Sequence, residues 1–317
     1  MKHVLLADIG GTNARFAVQR GDKLEKVRSL AVRAHATIDD AIRSFLADRG
    51  EGLRIDAAVL AVAGPIEGRR SKLTNSTWVV DAGGLERSFG IPRIRIVNDQ
   101  EAAAWGLPHL APSDTCIIGP EASAAAAPMV LISPGTGLGI ACLVSGPSGA
   151  QVLASEGGHA TLAATTKREA ALVGQLRDQF GHVSAERALS GPGLANLYHA
   201  AAAVDGIDAV PRTSEEITRA ALDGNCVASQ RALDAFCGLL GAVAGDLALL
   251  FGARGGVFIG GGIAPRIVDY LARSEFRKRF EDKGRLGPYL RAIPVRVIVR
   301  PDPTFVGLSV LALADGS

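Results

Sequence analysis

A short apolar run that breaks at a glycine cluster and then resumes occurs twice in this chain. That pattern limits the fold more than any other feature. Residues 4–7 (VLLA) lead into Asp8-Ile9-Gly10-Gly11-Thr12-Asn13, and the apolar pattern resumes from Arg15 to Gln19. Met129 to Ser133 lead into Gly135-Thr136-Gly137-Leu138-Gly139, and the pattern resumes from Ile140 to Val144. Each reads as a β-hairpin folded around a glycine loop. The recurrence is one of pattern, not of sequence. A third cluster, Gly260-Gly261-Gly262, follows the strand-like run Val257–Ile259 and precedes Ile263-Ala264-Pro265.

The segments between these loops alternate in period. Val27 to Val32 reads as a third strand, and Ile38 to Asp48 has helical spacing through Ile42, Phe45 and Leu46. Asp56 to Ala63 is a buried-strand run stopped by Gly64-Pro65. Leu85 to Phe89 is helical, Ile94 to Val97 a strand, and Gln100 to Trp105 a helix. The order predicts an α/β domain with a mixed sheet. Pro108 and Pro112 mark a boundary. Beyond it, helical patterns cover 167–180, 190–203, 214–222 and 227–251, with a last strand at Val295–Val299 and a last helix at Phe305–Ala314. At 317 residues the chain is long enough for about two domains. No low-complexity linker separates the halves, so they are expected to pack across a cleft.

Composition excludes several classes. The 34 basic and 32 acidic residues leave a net charge of +2, which gives no reason to expect nucleic acid or an anionic membrane as partner. Cys116, Cys142, Cys226 and Cys237 form no CxxC and have no zinc spacing, so buried reduced thiols of a cytoplasmic protein are expected. The N-terminal apolar run is too short for a signal peptide. Leu239–Phe251 is too short to span a bilayer and reads as a core helix. Asn75-Ser76-Thr77 matches a glycosylation sequon by chance. There is no GxxxxGK[ST], and no GxGxxG opens a helix near the N-terminus, so neither a P-loop nor a dinucleotide site is expected.

The glycine loops suit phosphate. Glycine lets backbone N–H groups come close to an anion, Thr12 and Asn13 add donors, and Asp8 is placed for a hydrated Mg²⁺. Either loop alone is equally an ordinary tight turn. Two such loops facing one cleft would grip a triphosphate from both sides. Gly260 to Gly262 would let a flat ring such as a purine approach the backbone, or would simply turn the chain.

Three segments offer acid–base or hydroxyl-binding groups. Asn98-Asp99 lies where a strand ends and a helix begins, so Asp99 is either a proton acceptor for a bound hydroxyl or the helix N-cap. Glu156-Gly157-Gly158-His159 presents a carboxylate and an imidazole from one turn, suited to a polyhydroxy ligand, although His159 is equally a structural histidine. Glu186-Arg187 precedes Leu189-Ser190-Gly191-Pro192-Gly193 and is otherwise a surface ion pair.

Taken together the segments resemble the bacterial glucokinase family of the actin/Hsp70/hexokinase-like superfamily. The matching pieces are Asp8 to Arg15, Leu73-Thr74-Asn75-Ser76-Thr77-Trp78, Val97-Asn98-Asp99, Gly135 to Gly139, Glu156 to His159, His182 to Leu194, and Gly255 to Ile263. They run in the family's order over nearly the whole chain. The resemblance implies a two-domain actin-like ATPase (ribonuclease H-like) α/β fold. Its small α/β domain would be 1–109 plus 299–317, and its larger α+β domain 110–298. It implies ATP-dependent phosphorylation of glucose at O6 by a cytoplasmic homodimer. Asp99 would be the general base, and Asn98, Glu156, His159 and Glu186 would hold sugar hydroxyls. Gly10, Gly11, Thr12, Asn13, Gly135, Thr136 and Gly137 would hold phosphates, with Asp8 near Mg²⁺, and Gly260, Gly261 and Gly262 would line the adenosine pocket. Gln100 stands where the family usually has Phe, and Ser133-Pro134 where Gly-Pro or Gly-Ala is more familiar; neither removes a polar catalytic group.

Two other readings compete. A ROK-type hexose kinase usually carries a Cys-rich zinc motif, but no cysteine lies between Cys142 and Cys226. A sugar-sensing repressor needs a helix-turn-helix, and the first loop begins at residue 8, which is expected to leave no room for one.

Overall fold

The computed structural model describes residues 2–49, 53–73, 76–121, 125–146 and 149–314. The chain divides into two compact units, Met1–Leu110 with Arg300–Ser317, and Ala111–Val299. Thr74 and Asn75, which carry part of one matching segment and the sequon, lie outside the described residues.

The first unit begins with β1 (His3–Ile9) and β2 (Asn13–Arg20), an antiparallel hairpin in which Asp8 pairs with Arg15 and Ile9 with Ala14. Short β3 (Lys23–Leu24) and β4 (Arg28–Ala31) flank β2, and α1 (Ile38–Ala47) follows, capped by Thr37 and Asp40. β5 (Ala57–Val62) returns parallel to β1. A small sheet of β6 (Ile66–Glu67), β7 (Arg70–Lys72) and β8 (Val79–Asp81) leads to α2 (Ala82–Phe89), β9 (Ile94–Asn98) and α3 (Asp99–Trp105). The main sheet runs β3-β2-β1-β5-β9, with β1, β5 and β9 parallel.

Central parallel strands bury both faces, and successive side chains of a strand point to opposite sides. Leu5, Ala7 and Ile9 therefore pack in one core with Ile38, Ile42 and Phe45 of α1. Val4 and Leu6 pack in another with Ala102 of α3 and with Phe305, Leu308 and Leu311 of the C-terminal helix Thr304–Ala314. The same alternation sends Asp8 to the α3 face. The C-terminal helix meets α3 backbone to backbone: a Cβ on Gly307 would lie 1.7 Å from the Ala102 carbonyl oxygen.

The second unit repeats the plan. After β10 (Thr115–Ile117), β11 (Met129–Pro134) and β12 (Leu138–Gly146) form an antiparallel hairpin, and β13 (Gly149–Ser155) extends it. The helices α4 (Lys167–Phe180), α5 (Gly191–Asp205), α6 (Ser214–Leu222) and α7 (Val227–Phe251) follow. Then come β14 (Gly256–Ile259), α8 (Val268–Arg273), α9 (Phe276–Glu281), α10 (Gly287–Arg291) and β15 (Val295–Ile298). β14 lies parallel to β11 and β15 parallel to β14, giving the order β10-β15-β14-β11-β12-β13. Hairpin, parallel strand, parallel strand is the order of β2-β1-β5-β9 as well, so the recurrence visible in the sequence is a recurrence of topology. α7 spans the expected 227–251, of which Leu239–Phe251 is only the most apolar part, and at 25 residues it could cross a membrane by length and apolarity. Two thirds of its most apolar window is instead buried within the protein, where Gly241 and Gly245 let Phe276 and Phe280 of α9 come against its backbone.

The contact at Gly307 is testable. Backbone cannot yield as a flexible side chain can, so Gly307→Ala is expected to destabilise by about 3 kcal/mol, the upper end of typical overpacking costs. A thermal melt should show a midpoint several degrees below the parent protein, and an unchanged midpoint would contradict the close approach of these helices.

Candidate active site

In the first unit the candidate groups gather at the carboxyl ends of the parallel strands, the usual place for ligands in α/β sheets. Asp8 stands beside Ala61 of β5, and Ala61 beside Val97 of β9, so the strands carry Asp8 and Asp99 to the same end. Asn98 caps α3: its Oδ1 accepts the backbone N–H groups of Gln100, at 2.9 Å, and Glu101, at 3.3 Å. The cap is thus Asn98 and not Asp99, which begins the helix with its carboxylate released from that task. Gln100 Nε2 donates to Asp99 Oδ2 at 3.2 Å. Burial first, and then the negative charge of Asp8, push the Asp99 carboxyl up to about 6, against the opposing pull of the Gln100 amide.

Asp8 is only 13% exposed. Arg15 Nη1 donates to its Oδ2 at 3.0 Å, while Arg15 Nε pairs with Asp302 at 3.2 Å. Burial raises the Asp8 pKa more than Arg15 lowers it, and Asp302 raises it further. Asp302 has a φ of 51°, a conformation few residues other than glycine adopt. Sequence reasoning included Arg15 only as part of a motif and missed Asp302; no local pattern marks either as a partner of Asp8. The loop between the strands closes with Gly10 N–H donating to the Asn13 carbonyl at 3.0 Å, leaving Thr12 and Asn13 exposed.

In the second unit the exposed Glu156 and His159 side chains stand 4.0 Å apart at the two ends of the turn Gly157–His159, whose Gly158 is buried. The Thr161–Ser184 bridge ties that turn to the turn Ala185–Arg187, which carries Glu186. Glu186 Oε2 accepts the Leu138 N–H at 2.8 Å. Its partner is therefore the glycine loop and not Arg187, whose guanidinium lies over Phe180. A Cβ on Gly137 would stand 2.6 Å from Glu186 Oε2, and one on Gly158 would stand 2.1 Å from the Leu138 carbonyl oxygen. Gly191 N–H, at the start of α5, donates to the Gly135 carbonyl at 2.7 Å. The second loop and the three hydroxyl-binding candidates are thus one assembly. Its glycines supply room: φ is positive at neither Gly135 nor Gly137.

The third cluster behaves differently. Gly261 has a φ of 76°, and a Cβ there would lie 2.2 Å from the Pro134 carbonyl oxygen; one on Gly260 would lie 2.8 Å from Ser133 Oγ. Both glycines press on the end of β11. Of the three expected at an adenosine pocket, Gly262 borders a cavity of about 320 Å³ lined also by Leu194, Ser214, Thr218, Arg219 and Arg266. The α6 residues in that wall had no sequence signal beyond a helical period.

The glucokinase family model matches residues 5–315. A glucokinase of Paramagnetospirillum magneticum is 46% identical over 310 residues, which are 96% of each chain. The chain belongs to the glucokinase family. The crystal structure of a glucokinase from an Antarctic psychrotroph superposes with a TM-score of 0.88 at 36% identity, covering all of both chains. A glucokinase from Balamuthia mandrillaris in complex with glucose shares the fold, with a TM-score of 0.78 at 20% identity over 98% of this chain and 93% of its own. The fold is accordingly the two-domain actin-like one, and the protein is a kinase that phosphorylates glucose with ATP. Neither a different hexose kinase nor a non-catalytic sugar sensor is favoured.

For a glucokinase the Glu186 clamp has a measurable consequence. Gly137→Ala displaces only the end of a flexible side chain, so the protein should still fold and its melting temperature should fall by only a few degrees. The loop loses the Glu186 contact, and kcat/KM is expected to fall by about tenfold or more, the equivalent of one hydrogen bond to a charged group. Unchanged kinetics would show that the clamp is not needed.

Proposed function

We propose that Asp99 is the general base that takes the proton from the 6-hydroxyl of glucose as that oxygen attacks the terminal phosphorus of ATP. The O6–P bond forms, the bond from that phosphorus to the β,γ-bridging oxygen breaks, and glucose 6-phosphate and ADP result. The observation that carries the reading is the state of Asp99. Asn98 has taken over the helix cap, and burial next to Asp8 lifts the Asp99 carboxyl to about 6. A base of that strength is still ionised near neutral pH yet holds a proton better than a solvated carboxylate.

The other roles follow from chemistry and from the family. Asn98 retains its amide Nδ2 for a sugar hydroxyl while its Oδ1 serves the helix. Glu156, His159 and Glu186 are the remaining sugar ligands. Glu186 keeps Oε1 for this while Oε2 holds the loop. Backbone and side-chain donors of Gly10, Gly11, Thr12 and Asn13, and of Gly135, Thr136 and Gly137, hold the phosphates, with the positive end of α5 beside the second set. The adenosine occupies the cavity at Gly262. Phosphoryl transfer asks mainly for such positioning and charge stabilisation.

Mg²⁺ fits this set through water. Burial raises both the Asp8 and the Asp99 carboxyls, Asp302 adds to it at Asp8 and Asp8 adds to it at Asp99, a situation a cation relieves. No group of three or more His, Cys, Asp or Glu that could hold a metal directly occurs among the described residues. When bound, the ion would neutralise charge on the phosphates, and Asp8 would orient its water shell. We further propose a homodimer acting in the cytoplasm, at the entry of glucose into glycolysis.

Asp99→Asn keeps the shape and the amide contact but removes the proton acceptor. It is expected to lower kcat by ~10²–10⁴-fold while changing glucose affinity far less. Steady-state kinetics with a direct glucose-binding titration separate the two, and near-normal turnover in the variant would refute the assignment.

A further inference from the structure

We propose that Gln100 is a positioning residue for the base: its amide occupies Asp99 Oδ2, so that the other carboxylate oxygen faces the sugar hydroxyl and receives its proton. This rests on the reading of Asp99 as general base. Gln100 Nε2 donates to Asp99 Oδ2 at 3.2 Å. The other half of the same amide is unserved: Gln100 Oε1 is buried and has no hydrogen-bond partner among the described residues.

That pairing argues for a catalytic rather than a packing role. A buried acceptor without a partner lowers stability, and an unbranched apolar side chain of the same length would fill the space without that cost. The gain at Asp99 and the loss at Gln100 Oε1 offset each other, so the amide adds little net to the fold at this position. What it does provide is direction. Asp99 is the first residue of α3; the first N–H groups of the helix reach its carboxylate, whose terminal torsion is otherwise soft, and the Gln100 amide adds a side-chain donor on a defined oxygen. A donor on one oxygen fixes the plane. In-line attack demands that the acceptor meet the hydroxyl at hydrogen-bond distance, and small errors of placement are expensive in rate.

The assigned amide orientation is consistent with the charge on its neighbour. With Nε2 toward Asp99 the amide favours the ionised carboxylate, and it does draw the carboxyl down against burial and Asp8. The reverse orientation would set two acceptors against each other in the state that has to accept the proton.

The test compares Gln100→Met, Gln100→Glu and Asp99→Asn in the full-length enzyme, with the double variant Asp99→Asn/Gln100→Met. Gln100→Met keeps length and bulk and removes the donor. It should lower kcat by about tenfold or more, as loss of a hydrogen bond to a charged group does, leave the glucose KM within about twofold, and melt no lower than the parent. Gln100→Glu replaces the donor with a second carboxyl and should lower kcat at least as far. In the Asp99→Asn background Gln100→Met should have no further effect on kcat. A kcat within twofold of the parent in Gln100→Met, or a loss shared by KM and melting temperature, would overturn the positioning role while a dead Asp99→Asn leaves the base in place. An active Asp99→Asn would instead overturn the base itself.

Discussion

A carboxylate withdrawn from water beside a second carboxylate is the constraint on which this structure turns. Asp8 and Asp99 are brought together by the sheet, because strand alternation puts Asp8 on the α3 face and the parallel register carries β9 to the same end as β1. Neither charge is welcome there. Arg15 offsets part of the cost at Asp8 and is itself shared with Asp302. Among the described residues Asp99 has one side-chain donor, the Gln100 amide, and the first N–H groups of its helix. Its pKa is higher folded than unfolded. The stability that its proton lends is therefore present at low pH and lost as pH rises through about 6. The ionised form that the proposed base needs is the one the fold tolerates less well, and it is the form that a cation and a hydroxyl donor would relieve.

The second unit solves a different problem, that of holding a loop rigid without filling it. Gly137 and Gly158 are the points where the loop, the Glu156–His159 turn and Glu186 meet at distances a Cβ would not allow. Leu138 is held at both ends of its peptide unit, its N–H on Glu186 and its carbonyl against Gly158. Leu138 thus joins the glycine loop to both Glu186 and the Glu156–His159 turn.

Much of this was legible in the sequence, for identifiable reasons. The hairpins around Gly10 and Gly135 show because an apolar run, a glycine stop and a resumed run have few other meanings. The helices at 167–180, 214–222 and 227–251 match the observed α4, α6 and α7 end to end, each long enough for its period to register. The strand β13 escaped because it lies at a sheet edge with both faces largely exposed and shows no apolar alternation. The short helices α8, α9 and α10, of five or six residues each, are too brief for a period. At the site, residue types were readable and partners were not. Whether Asp99 or Asn98 caps α3 depends on one residue of register. Glu186 reaches a backbone N–H 48 positions away, and Gly260 and Gly261 serve β11 while Gly262 fronts the cavity. Such assignments belong to tertiary packing, on which sequence spacing is silent.

The account is tested most directly by the ionisation of Asp99 itself. Carboxyl carbons of ¹³C-labelled aspartate can be followed by NMR across pH 3 to 8, a range set by the ordinary value of ~4 and a margin above it, with Asp99→Asn supplying the assignment. The account expects one resonance with its midpoint at about 6, absent in the variant, and a fall of kcat/KM as pH drops through that midpoint. An Asp99 resonance with its midpoint near the ordinary ~4 would mean a solvated carboxylate, and would contradict the buried base.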